Sequence, residues 1–402
     1  MAVTKSVFGK SPEGREISLY TLSNSKGMQA KVTDLGANLV GILVPDVQGV
    51  TADVTLGFDS VDRYYKNYSF FGAVIGPCAN RTAGAAYTLD GVDYRMDQND
   101  GPNNLHTHIE LGFHKRIWDA VPGDNSVTFS LEDEDGYLGF PGHKKVSVTY
   151  SLDEENALRL HYHASSDKRT IFNLTNHSYF NLDGQGTGRI EDHELWLGAS
   201  HFTPVVPGSI PTGEICAVAG TPMDFTQPKK IGRDIEADFE QLKLTGGYDH
   251  NFCIEHWDGS LREAAEVYEP QSGRVMRVTT DLPGVQLYTG NFLAGHPGKG
   301  GKPVACRTGF CLETQYYPDT PNQPDFPSCV FRAGEAFEST TEFQFSVRGP
   351  QRLMFHMQCI VLGKSAGLMR PWRFSLSKKG RVWAAFFDSF IMSRRIDVLP
   401  DS

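Results

Sequence analysis

Four short segments of this chain gather side chains able to move protons or to hold hydroxyl groups. They are Asn103–His106 (Asn-Asn-Leu-His), Asn173–Leu182 (Asn-Leu-Thr-Asn-His-Ser-Tyr-Phe-Asn-Leu), Gly246–His250 (Gly-Gly-Tyr-Asp-His) and Gly309–Gln315 (Gly-Phe-Cys-Leu-Glu-Thr-Gln). Between them they offer histidines that can give a proton, a carboxylate that can take one, and amides and an aspartate that can hold hydroxyls. In Thr308–Gln315, Phe310, Leu312 and Thr314 alternate with Cys311, Glu313 and Gln315, so a strand would set Glu313 on one face with Cys311 and Gln315. A glutamate so placed is either solvent-exposed, the usual fate of Glu, or a base whose pKa is raised by a partly desolvated cleft. His177 sits among Asn173, Thr175, Asn176, Ser178 and Asn181, between apolar residues. A lone histidine in such a place is ordinarily a satisfied core group. The neighbouring amides and hydroxyls, however, suit a ring whose tautomer and orientation must be set for proton transfer. Asp249 follows two glycines that favour a tight turn able to deliver its side chain into a cleft, although a Gly-Gly-Tyr-Asp loop alone is only a turn.

The elements that must position these residues are strands. Hydrophobic periodicity is mostly two: Glu16–Leu22 and Gln29–Val32 read as early strands. Val146–Leu152 and Ala157–Ala164 alternate on either side of an Asp-Glu-Glu-Asn turn, and Ala264–Glu269 and Arg274–Thr280 flank a Ser-Gly turn. Glu338–Val347 alternates as a closing strand. A short helix is expected over Asp234–Leu242. The 41 glycines and 22 prolines fall mostly between such runs, as punctuation for many short strands. Strands with little helix between them point to an all-β fold, an antiparallel sandwich rather than a βαβ arrangement.

Bulk properties narrow the partners. A formal charge of −10 argues against a nucleic-acid backbone or an anionic membrane. Seven widely spaced cysteines with no Cys-x-x-Cys pair support neither a zinc cluster nor a disulfide framework, which favours a reducing compartment. The N-terminal residues lack the apolar core of a secretion signal. No run approaches the ~18 apolar residues that span a bilayer. A cytoplasmic protein is the expectation, and 402 residues suffice for a large core and a deep cleft without metals or disulfides.

The four segments, in this order and within an all-β pattern, resemble the aldose 1-epimerase (galactose mutarotase) family, from about Val7 to Val347. The resemblance implies a large single-domain galactose mutarotase-like supersandwich with a concave sugar-binding face. It implies an enzyme that interconverts the α and β anomers of free hexoses such as galactose and glucose, with no cofactor and no metal. Residue by residue, it makes Glu313 the base and His177 the acid that protonates the ring oxygen, with Asn176 in support. Asp249 would orient two hydroxyls, and Arg81, in Asn80-Arg81, would reach another. Gln286 stands where the family has a polar side chain facing the cleft. His106 closes the Asn-x-Leu-His motif and would bond near the ring oxygen or a neighbouring hydroxyl. The chain departs from the family just after it, with Thr107 and His108 where two glycines belong and Gly112-Phe113 one residue late. His108 reads as a loop residue.

Three alternatives compete with this reading, the first two on the same fold. A hexose-6-phosphate 1-epimerase would need clustered cations for the phosphate, for which Lys115-Arg116 and Lys229-Lys230 are the candidates. A non-catalytic carbohydrate-binding protein would have no reason to keep both an acid and a base. A glycosidase using Glu313 and Asp249 would reserve both carboxyls for bond cleavage. The expected division is one mutarotase-like domain, residues 1–347, and an extension of unknown structure, 348–402, which includes the apolar run Val382–Phe387. That extension reads as an extra layer, as a poorly ordered addition or as a partner-binding tail.

Overall fold

Period-two runs become strands almost where the pattern puts them in the computed structural model, which describes residues 2–349. The early strands are Glu16–Ser23 and Gln29–Thr33, the hairpin pairs Lys144–Leu152 with Ala157–Ser166, and the later pair is Arg262–Tyr268 with Arg274–Thr280. The Asp-Glu-Glu-Asn turn closes on Asp153, whose Oδ1 accepts the backbone N–H groups of Glu155 (2.9 Å) and Ala157 (2.8 Å). This is how an aspartate imitates a backbone turn. The closing strand is Phe337–Val347. The extension after it lies, from residue 350 onward, outside the described residues.

The expected helix over Asp234–Leu242 is displaced to Glu240–Thr245. Asp234 does not cap it because Lys229 Nζ and Arg233 Nε both donate to its Oδ2, at 2.8 and 2.9 Å. The helix ends at Gly246, which adopts φ 66° and lets the N–H of Gly247 reach the carbonyl of Leu242.

Three antiparallel sheets carry most of the fold. A five-stranded meander runs from Ala2–Lys10 to Thr51–Asp53. A nine-stranded sheet has Ala157–Ser166, Phe337–Val347 and Arg274–Thr280 side by side near its middle. A six-stranded sheet is ordered Tyr179–Phe180, Phe310–Gln315, Gly284–Tyr288, Asp249–Cys253, His201–Phe202, Cys216–Ala217. The last two share a core: Phe180 meets Phe343 at 5.1 Å between ring centroids, and the hydroxyls of Thr314 and Thr341 bond across the layers at 2.5 Å. Leu160, Tyr162, Met276, Val278, Val285, Leu287, Phe310 and Leu312 fill the space between, all 0–1 % exposed. An all-β sandwich is therefore the architecture. Its six-stranded layer has one face committed to the core and one free to build a site.

Candidate active site

Alternation decides what reaches that free face. Phe310 and Leu312 point into the shared core, so Cys311 and Glu313 must point the other way. On the neighbouring strands Val285, Leu287 and Phe252 are core residues, which turns Gln286, Tyr288, Asp249 and Asn251 outward. A cleft of about 210 Å³ opens here, lined by Asn80, Arg81, His106, His177, Asp249 and Glu313. It is smaller than the roughly 300–1,000 Å³ of pockets that take drug-sized ligands, a scale suited to one small polar molecule.

His177 Nε2 lies 3.7 Å from Glu313 Oε1, with both side chains almost wholly buried. Burial, reinforced by the nearby Asp249 carboxylate and opposed by Arg81, holds the Glu313 carboxyl well above the usual carboxylate range. Burial drives His177 the other way, down to about 4. Both shifts favour the uncharged forms, as desolvation must. Glu313 Oε2 is buried with no hydrogen-bond partner among the described residues, an arrangement that calls for an explanation. That oxygen can accept a hydrogen bond from a hydroxyl placed in the cleft.

Asp249 is held on both sides. Gln286 Nε2 donates to its Oδ1 at 2.7 Å, and Arg81 Nη1 stands 3.6 Å from its Oδ2. Arg81 in turn donates from Nε to Asp100 at 2.8 Å. Arg81 and His106 arrive on two short strands, Arg81–Thr82 and Asn104–Leu105, which pair with each other. The pairing continues past the strand ends. The His106 N–H donates to the Asn80 carbonyl (2.9 Å), and the Asn80 N–H donates to His106 Nδ1 (3.1 Å). That second bond fixes a tautomer: Nδ1 is an acceptor, so the neutral imidazole carries its hydrogen on Nε2. Burial, then the neighbouring His177, keeps this ring neutral by pushing its pKa well below the ordinary histidine range.

The same bond bears on metal binding. His106, His177 and Glu313 place three potential ligand atoms within 4.8 Å of one another, a set resembling a two-histidine, one-carboxylate metal site. A ligating imidazole nitrogen must offer a lone pair. His106 Nε2 instead offers a hydrogen, so the set fits a ligand rich in hydroxyls better than a metal ion.

Of the residues expected at the site, six line the cleft and two do not. Asn176 is one of the exceptions. Within Thr175–His177 it is the neighbour of His177, and alternation turns it to the opposite face. Its Nδ2 donates to the Gly72 carbonyl at 3.1 Å, and its Oδ1 accepts the Ser178 hydroxyl at 2.5 Å. Asn176 thus ties the His177 strand to its partner, and does not line the cleft. Gln286, paired in register with Glu313, donates to Asp249 and does not itself line the cleft. His108 is a loop residue, its Nδ1 accepting the backbone N–H groups of Glu110 and Leu111, both at 3.1 Å.

Sequence reasoning missed the walls. Phe70 stacks on His177 (centroids 5.8 Å, 24°) and meets His106 edge-on (4.8 Å), while Tyr179 also stacks on His177 (5.0 Å, 27°). Tyr68, Tyr288 and Phe292 also line the cleft. Phe70 lies in a loop with no motif around it, so nothing in the sequence separates it from a core phenylalanine. Thr107 was also missed as a structural part. It has φ 68°, a left-handed conformation unfavourable for a β-branched side chain. Its fully buried hydroxyl donates to the Cys78 carbonyl (2.9 Å) and accepts the Cys78 N–H (3.1 Å). Those two bonds hold the loop that a glycine would enter without strain.

An all-β sandwich with a carboxyl and an imidazole facing one small, partly polar cleft is the framework of a general acid–base enzyme acting on a hydroxyl-bearing molecule. Known proteins narrow the class. The aldose 1-epimerase family profile matches residues 18–344. A galactose mutarotase from Bos taurus is 42% identical over 348 residues, covering 86% of this chain and 99% of that protein. An aldose 1-epimerase from Escherichia coli K12 is 39% identical over 337 residues, covering 83% and 96%. Among solved structures, an aldose epimerase homologue from C. elegans superposes with TM-score 0.76 at 30% identity, covering 82% of this chain and 99% of that one. The chain belongs to the aldose 1-epimerase family and is an enzyme.

Two outcomes follow from this geometry. Glu313 has a folded pKa above its unfolded one, so the native state gains from protonation and loses stability as pH rises from the unfolded value towards the folded one. Glu313→Gln should therefore match the parent's thermal stability near pH 4 and exceed it increasingly towards pH 8, by about 1–3 kcal/mol. Melting curves across that range would check it, and a difference independent of pH would contradict the upward shift. Thr107→Val keeps the shape but strips the Cys78 backbone of both partners. It should cost about 1–3 kcal/mol in urea unfolding, whereas Thr107→Gly should be tolerated better.

Proposed function

We propose that this enzyme interconverts the α and β anomers of free hexoses, galactose and glucose among them, in the cytosol. The observation that carries the reading is the 3.7 Å approach of His177 Nε2 to Glu313 Oε1 in a buried cleft. Their opposite pKa shifts mean that the two groups together hold one proton over a wide pH range. That proton count is what the reaction needs. With the pair charged, Glu313 takes the proton of the C1 hydroxyl while His177 gives one to the ring oxygen. The bond from C1 to the ring oxygen breaks, and C1 becomes an aldehyde. Glu313 is now neutral and protonated, and His177 is neutral. Half a turn about the C1–C2 bond presents the other aldehyde face. Closure reverses both transfers, with His177 taking the proton back from the former ring oxygen and Glu313 returning one to O1. Both ionisation states of the pair thus occur in each turnover, and the uncharged one is the state the empty, desolvated cleft favours.

The remaining groups suit a neutral sugar. Asp249 and Arg81 can hold hydroxyls, and His106 Nε2–H can donate to the ring oxygen or a neighbouring hydroxyl. Tyr179 and Tyr288 offer aromatic surface to the sugar's C–H faces. A 6-phosphorylated substrate is less well served. Lys115 Nζ donates to the Tyr64 and Tyr65 carbonyls, Lys229 to the Pro222 carbonyl and Asp234, and Lys230 to Asp192. Arg116 is paired with Asp133, and none of the four lines the cleft. The unpaired state of the six described cysteines favours a reducing compartment. Among the described residues no helix is long and apolar enough to cross a membrane.

Polarimetry of freshly dissolved α-D-galactose, with the uncatalysed drift subtracted, tests the reading. The parent should speed the approach to equilibrium. Glu313→Gln and His177→Asn should each lose on the order of 10²–10⁴-fold. Galactose 6-phosphate should be a much poorer substrate than galactose; the opposite preference would make the chain a sugar-phosphate epimerase. Activity should also fall at both pH extremes. Below about pH 4 His177 gains a second proton for the pair, and above the raised Glu313 value the pair's one proton is lost. A rate that rises or falls across the neutral range with an ordinary carboxylate or histidine midpoint would sink the shared-proton account.

A further inference from the structure

We propose that Cys311 is a positioning residue for the acid–base pair, its sulfur accepting the Nδ1–H of His177 so that Nε2 is presented to Glu313 and the cleft. This rests on the acid–base reading above. Cys311 and Glu313 are two residues apart on one strand and share its cleft face. Cys311 Sγ lies 3.4 Å from His177 Nδ1, and Glu313 Oε1 lies 3.7 Å from Nε2. One strand therefore meets the imidazole at both of its nitrogens.

The aromatic contacts cannot do this work. Phe70 and Tyr179 stack on the ring at 24° and 27°, which fixes its plane. Stacking is indifferent to which nitrogen carries the hydrogen and to a half-turn of the ring within that plane. The polar atoms at the ring edge decide both; besides His177's own backbone, they are the Cys311 sulfur and a Glu313 carboxyl oxygen. When Glu313 holds the shared proton, Nε2 must offer it a lone pair, which leaves the ring's own hydrogen on Nδ1, facing the sulfur. When His177 is charged, both nitrogens carry hydrogen and the sulfur again accepts.

A thiol suits this position better than a stronger acceptor. Burial, then the Glu313 and Asp249 carboxylates, holds the Cys311 thiol well above its usual range, so it stays uncharged. A thiol sulfur is a weak acceptor. It can orient the ring without stabilising the imidazolium as a carboxylate would, and so leaves His177 ready to part with its proton. Cys311 is itself fully buried, and its backbone is paired in register with Tyr179 and Tyr288, so the strand holds the sulfur in place.

The test uses full-length protein labelled with ¹⁵N-histidine. In the parent, the His177 nitrogen shifts should report hydrogen on Nδ1. Cys311→Ser, which keeps an acceptor, should retain that tautomer and most of the rate. Cys311→Ala should move the ring towards the Nε2–H tautomer and lower kcat by about tenfold, with KM changed less than twofold. Cys311→Val, which also removes the acceptor, serves if the alanine variant does not fold. Hydrogen on Nε2 in the parent, or an unchanged tautomer in the alanine and valine variants, would overturn the proposal. An equal loss of rate in the serine and alanine variants with the tautomer intact would do the same. Should the parent prove inactive towards aldoses, the functional reading fails by itself, because the nitrogen spectra do not depend on turnover.

Discussion

Desolvation of two opposite titratable groups in one cleft is the constraint on which this structure turns. Burying a carboxyl without a full set of partners is costly, and Glu313 has one oxygen with none among the described residues. The sandwich sustains that cost because the strand bearing Glu313 is anchored by its other face. Phe310 and Leu312 lie in the main core, and Gly284–Tyr288 and Tyr179–Phe180 pair along both edges. A site that stores unfavourable burial in this way gives up stability for a proton poised to move.

The second support is the seam between the segments 78–82 and 104–107. It combines backbone bonds with three side-chain bonds, Asn80 N–H to His106 Nδ1 and the Thr107 hydroxyl to both the carbonyl and the N–H of Cys78. Asn80, His106 and Thr107 all have positive φ. Asparagine and histidine tolerate that region better than threonine does. The departure from the family's glycines thus falls where the chain offers a compensating hydroxyl. His106 keeps both its place and a defined tautomer, although the residues that follow it are unusual.

Much of the architecture was legible in the residues themselves. Alternation located the hairpin of Lys144–Leu152 and Ala157–Ser166 and the closing strand Phe337–Val347, because one face of each is buried and one is wet. It also grouped Cys311 with Glu313. Alternation could have excluded Asn176 as well, since a residue adjacent to His177 on a strand must face away. The helix near Asp234 was misplaced because local pattern cannot tell that Asp234 is occupied by Lys229 and Arg233.

What the sequence by itself determined is the set of strands, the face each side chain takes and the chemical types available, since these follow from a two-residue period and side-chain chemistry. Which groups meet was decided only by the tertiary structure. Glu313 and His177 stand 136 residues apart along the chain, and no local rule sets their separation. The 3.7 Å between them, their shifted ionisation, the walls formed by Phe70 and Tyr179, and the sulfur at Nδ1 all arise from closing two sheets on one core. Distance and dielectric are properties of packed space, which a one-dimensional pattern does not contain.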